Sequence, residues 1–300
     1  MEKLELILDA RATLGEGPCW DSKKKVLYWV DVVEQKVHIF DPKTGKDESI
    51  NVGQQVGAVV PRKSGGLILA LRNGFYALDL VTKELTAIVD PEADLPGNRF
   101  NDGKCDAAGR FWAGTMEDAE ENVTGSLYRL DSDLSVTRVL DGVAISNGIA
   151  WEKDNQTMYF IDSPTKQVVA FDFDLETGRL DNKRTVVTIP DGEGIPDGMT
   201  IDSQGMLWVA QWGGYQVSRW NPNTGERIGA IKLPVGQVTS CVFGGEKLDE
   251  LYITTASRGL DEDQLKEQPY AGGLFRVKTG VTGTITYEFA EVCNEQGQSV

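Results

Sequence analysis

One unit recurs six times along this 300-residue chain. Each copy carries a short anchor, a turn rich in Gly, Lys and Asp, an aromatic-rich strand, a second turn with an apolar strand, and a turn of Asp-Pro or Asn-Pro type. The anchors are Trp20 (CWDSKKKVLYWVD), Pro61 (PRKSGGLILAL), Cys105 (CDAAGRFWAGT), Trp151 (WEKDNQTMYFID), Ile201 (IDSQGMLWVAQ) and Phe243 (FGGEKLDELYITT). They are spaced by 41, 44, 46, 50 and 42 residues. Self-similarity at such a period, carried by strand-like rather than helical runs, is the signature of a β-propeller in which each unit is one blade. A β-sandwich also spaces its strands regularly, but nothing in that architecture makes every fourth strand repeat. The expected fold is all-β: a six-bladed propeller of four-stranded antiparallel blades, with residues 1–300 as one domain. A wheel also places residues of equal phase on one circle, so distant positions can be grouped into a site.

Length permits this, because closed β architectures exceed the usual domain size as one unit. No apolar run approaches the roughly 18 residues of a membrane span, and MEKLELILDA lacks the apolar stretch and cleavage site of a signal peptide. Cys19, Cys105, Cys241 and Cys293 show no CxxC pairing, and the first three fall in different blades as small core residues. This reads as a reduced, cytoplasmic protein without a structural disulfide. The net charge of −16 disfavours nucleic acid and anionic membranes as partners. The partner expected is a small molecule, and the protein itself is expected to be a monomer or weak oligomer.

Within the first unit the four strands are read as Gly17–Trp20 innermost, then Val26–Asp31, Lys36–Phe40 and Lys46–Asn51. Turns such as DPKTGK, DLETGR and NPNTGE join the third strand to the fourth. Outermost strands follow as Leu85–Asp90, Ser135–Leu140, Thr185–Pro190 and Gly229–Pro234. Lys3–Leu8 stands in the same relation to the first anchor. It therefore takes the outermost place in the sixth blade, closing the ring and removing an open edge. Thr284–Phe289 is the competing segment for that place.

Four residues before each anchor stand Glu16, Gly57, Asn101, Asn147, Asp197 and Thr239. Being in phase, they should face the central channel at the start of the innermost strands. Glycines neighbour four of them (LGEGP, NRFNDG, ISNGIA, IPDGM), permitting unusual turns and close approach. Taken one at a time, such residues are ordinary turn formers; four carboxylates and amides forced into one ring are not. Two carboxylates and two amides make an oxygen-only site, suited to Ca²⁺, Mg²⁺ or Mn²⁺, while Zn²⁺ more often recruits His or Cys. The single histidine, His38, falls in a third strand away from the channel, which excludes a Ser-His-Asp or Cys-His mechanism. Second-to-third-strand loops share the face of the ring; those of blades three (Met116–Thr124) and six (Ala256–Gly272) are long and acidic, as lids are. Arg99 is a cation at the same rim.

These segments resemble the family of regucalcin (senescence marker protein), gluconolactonases and luciferin-regenerating enzyme. The matching stretches are GEGPCWD, GNRFNDGKCDAAGRFWAGTM, ISNGIAW, YFIDS, FDFDLETG, IPDGMTID, LWVAQW and TSCVFGG, in family order over nearly the whole chain. The resemblance implies a six-bladed propeller with one divalent metal ion in the channel, Ca²⁺ foremost, with Zn²⁺, Mn²⁺ or Mg²⁺ as alternatives. It matches Glu16, Asn147 and Asp197 to the metal ligands, Asn101 to a residue near metal and substrate, and Arg99 to a substrate contact. A lid glutamate of the family's animal members follows GTM; here the shorter loop offers Glu117, Glu120 or Glu121, with Glu117 taken as the substrate-binding residue. The implied activity is hydrolysis of a sugar-acid lactone, the metal polarising the carbonyl and Asp197 assisting water attack. Alternatives are a calcium-binding regulatory protein, or a luciferin-regenerating or phosphotriesterase-like hydrolase on the same scaffold.

Overall fold

The computed structural model describes residues 3–291. Six four-stranded antiparallel sheets are arranged as a β-propeller. The innermost strands are Gly15–Asp21, Val56–Pro61, Asn98–Cys105, Ser146–Trp151, Ile195–Ile201 and Val238–Gly244. Each contacts the next, and the first also contacts the sixth, so the ring is closed. Second strands such as Val26–Asp31, Leu67–Leu71 and Leu207–Trp212 are almost wholly buried. That explains their continuous apolar and aromatic composition, since neighbouring blades cover both faces.

The repeat has a chemical cause at the anchors. The Asp106 carboxylate accepts hydrogen bonds from the Ala108 and Arg110 amides and from Trp112 Nε1 at 2.8 Å. Asp202 does the same with Gln204, Met206 and Trp208 Nε1. In both blades the aspartate after the anchor ties the first turn to the tryptophan of the second strand, satisfying a buried indole N–H that would be costly to leave unpaired.

Closure follows the expected route. Glu5–Leu8 pairs antiparallel with Leu274–Lys278, in register Glu5↔Arg276, Leu6↔Phe275 and Leu8↔Leu274. Thr284–Phe289 does not take that place. Gly283 bridges Asp202, Phe289 exchanges backbone hydrogen bonds with Pro61 and Lys63, and Ala290 donates to Gly109. This segment therefore crosses the far ends of the innermost strands, where Phe289 is fully buried.

Several strand boundaries differ from the sequence reading, outermost Glu226–Lys232 and Val136–Val143 among them, and two bear on the argument. The innermost strand of blade one spans Gly15–Asp21, and the outermost strand of blade four starts at Arg179 rather than Thr185. The second difference arises because an outermost strand faces solvent: the residues RLDNKR are largely exposed and carry no apolar run to mark them. His38 stacks on Trp29 with ring centroids 3.9 Å apart and places Nδ1 2.6 Å from Asp47, inside blade one. Cys19, Cys105 and Cys241 are free and buried, and burial pushes their thiols upward, so none is a nucleophile. Cys293 lies outside the described residues. Among those residues no helix is long and apolar enough to cross a membrane.

Candidate functional site

The six in-phase positions share a backbone irregularity as well as a place in the ring. Pairing of innermost with second strand shifts register at Glu16/Cys19, Val56/Ala58, Phe100/Asp102, Asn147/Ile149, Pro196/Met199 and Val238/Ser240. Every interval holds or borders one ring position. A β-bulge there breaks strict alternation and re-aims side chains, a device common beside active sites. Close approach of the inner strands is the second requirement. A Cβ on Gly148 would lie 2.6 Å from Met199 Cβ and 2.9 Å from the Asp197 carbonyl oxygen, so only glycine brings Asn147 this near Asp197.

Glu16, Arg99, Asn101, Asn147 and Asp197 line one cleft of about 180 Å³ at the channel mouth. A larger cavity, about 410 Å³, lies beneath the C-terminal segment beside Trp151 and Tyr287; it contains none of the ring residues. The convergent polar chemistry belongs to the smaller one.

Orientation within the cleft is set by hydrogen bonds. Asn147 Nδ2 donates to Ser163 Oγ at 2.8 Å, and that hydroxyl donates to the Pro196 carbonyl at 2.7 Å. Asn147 Oδ1, approached by Asn101 Nδ2 at 3.3 Å, is the remaining acceptor. Asn101 Oδ1 is occupied by Arg99 Nη1 at 2.8 Å, and its Nδ2 donates to the Ser146 carbonyl at 2.8 Å. That bond takes one of the two lone pairs of the Asn101 oxygen and ties the side chain to Arg99. Arg99 is not a solvated loop charge: it is 2% exposed and pairs with Asp118 at 2.8 Å.

Glu16 and Asp197 are both buried. Burial raises each carboxyl above its ordinary range; the negative field of Asp102 adds to this for Glu16, and those of Glu16 and Asp102 add to it for Asp197. Buried carboxylates that repel one another are what a divalent cation would neutralise. Among the described residues no three His, Cys, Asp or Glu side chains form a metal-holding group. The fitting donors are two carboxylates and an amide oxygen, a hard set that leaves coordination positions for water or substrate.

Comparison with known proteins gives the family. Residues 14–257 match the family model described as SMP-30/Gluconolactonase/LRE-like region. The chain belongs to that family. Regucalcin of Xenopus laevis is 44% identical over 294 residues, covering 96% of this chain and 98% of the relative. A putative sugar lactone lactonase of Bacillus subtilis, YvrE, is 41% identical over 282 residues, covering 94% and 97%. A solved structure described as a calcium-binding protein, regucalcin, from Agrobacterium tumefaciens superposes with a TM-score of 0.91 at 27% identity, covering 95% of this chain and 96% of that one.

In this SMP-30/gluconolactonase-like chain the glutamates of the blade-three loop separate. Glu117 accepts hydrogen bonds from the Glu121 and Asn122 amides and from Asn122 Nδ2, bracing its own turn. It is Glu120 that lines the cleft. Asp102 and Ser163 were missed by the in-phase count. Counting one residue per blade skips Asp102, whose charge nonetheless reaches Glu16 and Asp197 past the bulge. Ser163 lies in a neighbouring loop, and only the FIDS sequence next to a face-sharing loop could have flagged it. Thr239 donates to the Gly15 carbonyl at 2.6 Å, so its ring place is structural.

Ser163→Ala should weaken divalent-cation binding about ten- to a hundredfold, because a ligand-orienting partner is lost while all ligands remain. Isothermal titration with calcium checks this; unchanged affinity would mean that Asn147 is oriented without the serine.

Proposed function

We propose that the protein is a divalent-metal-dependent lactonase acting on sugar-acid lactones. The observation that carries this reading is the convergence of Glu16, Asn147 and Asp197 in one cleft with Arg99 and Asn101. The name of the Bacillus relative, putative sugar lactone lactonase, supports the same reaction class. Glu16, Asn147 and Asp197 would hold the cation, Ca²⁺ foremost, with Zn²⁺, Mn²⁺ and Mg²⁺ as alternatives. When bound, such an ion supplies Lewis acidity toward a lactone carbonyl.

The side chains do the rest. Asp197, besides helping to hold the cation, takes a proton from the attacking water. Arg99, held rigid by Asp118, and Asn101 orient the hydroxyls or carbonyl of the sugar ring. Water attack needs no covalent nucleophile, consistent with the inert buried thiols.

A second reading, a calcium-binding regulatory protein, draws on the Agrobacterium relative's description. One experiment separates the two: hydrolysis of glucono-δ-lactone before and after chelation, with Ca²⁺, Mn²⁺, Mg²⁺ and Zn²⁺ added back singly. Turnover should fall by at least about a hundredfold in chelator and return with one of the four. Tight calcium binding without hydrolysis under any metal would replace the lactonase reading with the regulatory one; full turnover in chelator would remove the metal from the mechanism.

A further inference from the structure

The cleft carries two charged groups that the reaction above does not use, Arg258 and Glu120. Arg258 lies in the long loop of blade six and lines the cleft together with Glu120 of the blade-three loop. Blades three and six stand opposite each other in a six-membered ring, so these loops meet across the channel mouth. Their contact is loose: Arg258 Nη2 lies 3.8 Å from Glu120 Oε1, with side chains 38% and 48% exposed. An exposed pair at that distance contributes little and is readily exchanged.

The two cleft arginines differ in kind. Arg99 is committed to Asp118, the Phe100 carbonyl and Asn101. The Arg258 side chain has Glu120 as its ion-pair partner among the described residues. Its backbone, by contrast, is fixed. The Arg258 amide donates to the Thr13 carbonyl at 2.9 Å, and the Ser257 amide and hydroxyl both donate to the Ala12 carbonyl. A loosely paired guanidinium on a pinned backbone is a pre-organised receptor for an oxyanion, which it can grip bidentately. The opposite end of the cleft, with Glu16 and Asp197, repels anions unless a cation is present. With a cation there engaged by the lactone carbonyl, and Arg99 committed to Asp118 and Asn101, an anionic group at the other end of a substrate has its place beneath the two loops, at Arg258.

We propose that Arg258 selects sugar lactones bearing an oxyanion, carboxylate or phosphate, at the end away from the lactone carbonyl. This rests on the lactonase reading. In the exchange Glu120 is displaced into solvent, the substrate anion takes its position, and the carbonyl points toward the Glu16–Asn147–Asp197 end.

The test compares the calcium-loaded wild type with Arg258→Gln on three substrates: neutral glucono-δ-lactone, the carboxylate glucaro-1,4-lactone and 6-phosphoglucono-δ-lactone. The ratio of kcat/KM for at least one anionic lactone to that for the neutral one should fall about ten- to a hundredfold in the variant, chiefly through KM. Which anionic lactone responds identifies the oxyanion. A ratio unchanged within about threefold, or a wild type that hydrolyses only the neutral lactone, overturns the proposal. Hydrolysis of none of the three removes the lactonase reading separately. The unreacted lactones then serve as ligands in calorimetry, where loss of preference for the anionic ones in Arg258→Gln supports the arginine's role and no preference in wild type refutes it.

Discussion

Asp197→Asn is expected to abolish calcium binding and lactone hydrolysis together, while the metal-free variant at pH 8 melts no lower than wild type. The substitution keeps the shape of the side chain and removes one of the two formal charges in the ligand set. Turnover should drop by more than about a thousandfold if Asp197 both ligates and takes the proton. The stability half follows from the direction of the titration. Burial and the neighbouring negative charges raise the Asp197 carboxyl, so the folded protein holds a proton that the unfolded chain has released. Above the ordinary aspartate pKa of about 3.9 the folded state therefore binds more protons, and metal-free stability declines as pH rises toward the raised value. Asparagine has no such titration, and the variant's melting temperature should change less with pH. Calcium acts in the opposite sense on the wild type. At a hundredfold excess over Kd it adds about 2.7 kcal/mol, roughly 5 °C of melting temperature for a chain of this size. That calcium-induced shift should vanish in Asp197→Asn and in Glu16→Gln, because each lowers the charge that attracts the ion. Calorimetric melts from pH 5 to 8.5, in chelator and in calcium, read both halves. Full calcium affinity in either variant would mean the ion sits elsewhere.

The sequence made the wheel legible because the repeat is enforced at positions where burial and turn chemistry leave little choice. The Asp106–Trp112 and Asp202–Trp208 hydrogen bonds need their partners six residues apart, and the inner strands admit only glycine at Gly148 and Gly198. Those constraints keep phase, and phase alone put Glu16, Asn101, Asn147 and Asp197 into one ring. Less was legible where packing imposes no pattern. The outermost strand of blade four is exposed and polar, so its first six residues resemble a loop. Loop side chains are placed by contacts across the ring rather than by local spacing. Hence Glu117, Glu120 and Glu121 could not be ranked from sequence, and Glu117 is drawn into a local turn while Glu120 reaches the cleft. Asp102 escaped for a different reason: alternation assigns one face to Asn101 and the other to its neighbour, and a bulge is invisible until strands are paired.

Removing residues 1–10 should convert a stable protein into one that melts about 10 °C lower or is recovered only as aggregate. Glu5–Leu8 is the outer strand of blade six, and without it the Leu274–Lys278 strand presents a free edge to other chains. The lost contacts are also apolar. Leu4 and Leu6 pack on the cluster holding Phe275 and Val277, and Ile7 and Leu8 on the cluster holding Trp20, Tyr252 and Leu274. Four half-buried aliphatic side chains at about 1 kcal/mol each, together with the strand hydrogen bonds, amount to roughly 5 kcal/mol. At about 2 °C per kcal/mol that gives the expected fall. Arg276 would lose Glu5 as well, which matters little because it keeps Glu250 at 3.4 Å. The loss should concentrate in blade six: hydrogen exchange of the Leu274–Lys278 amides should accelerate far more than that of blades two to four. A truncated protein that stays monodisperse with the wild-type melting temperature would require another segment to cover the edge. Thr284–Phe289 is the nearest in sequence, but it could do so only by giving up the backbone hydrogen bonds of Phe289 with Pro61 and Lys63 and withdrawing a fully buried phenylalanine from between blades two and three. Burying a side chain of that size is worth roughly 1.5–3 kcal/mol, so the exchange would itself lower the melting temperature. An unchanged melting point would therefore contradict this closure of the ring, whichever strand took the empty place.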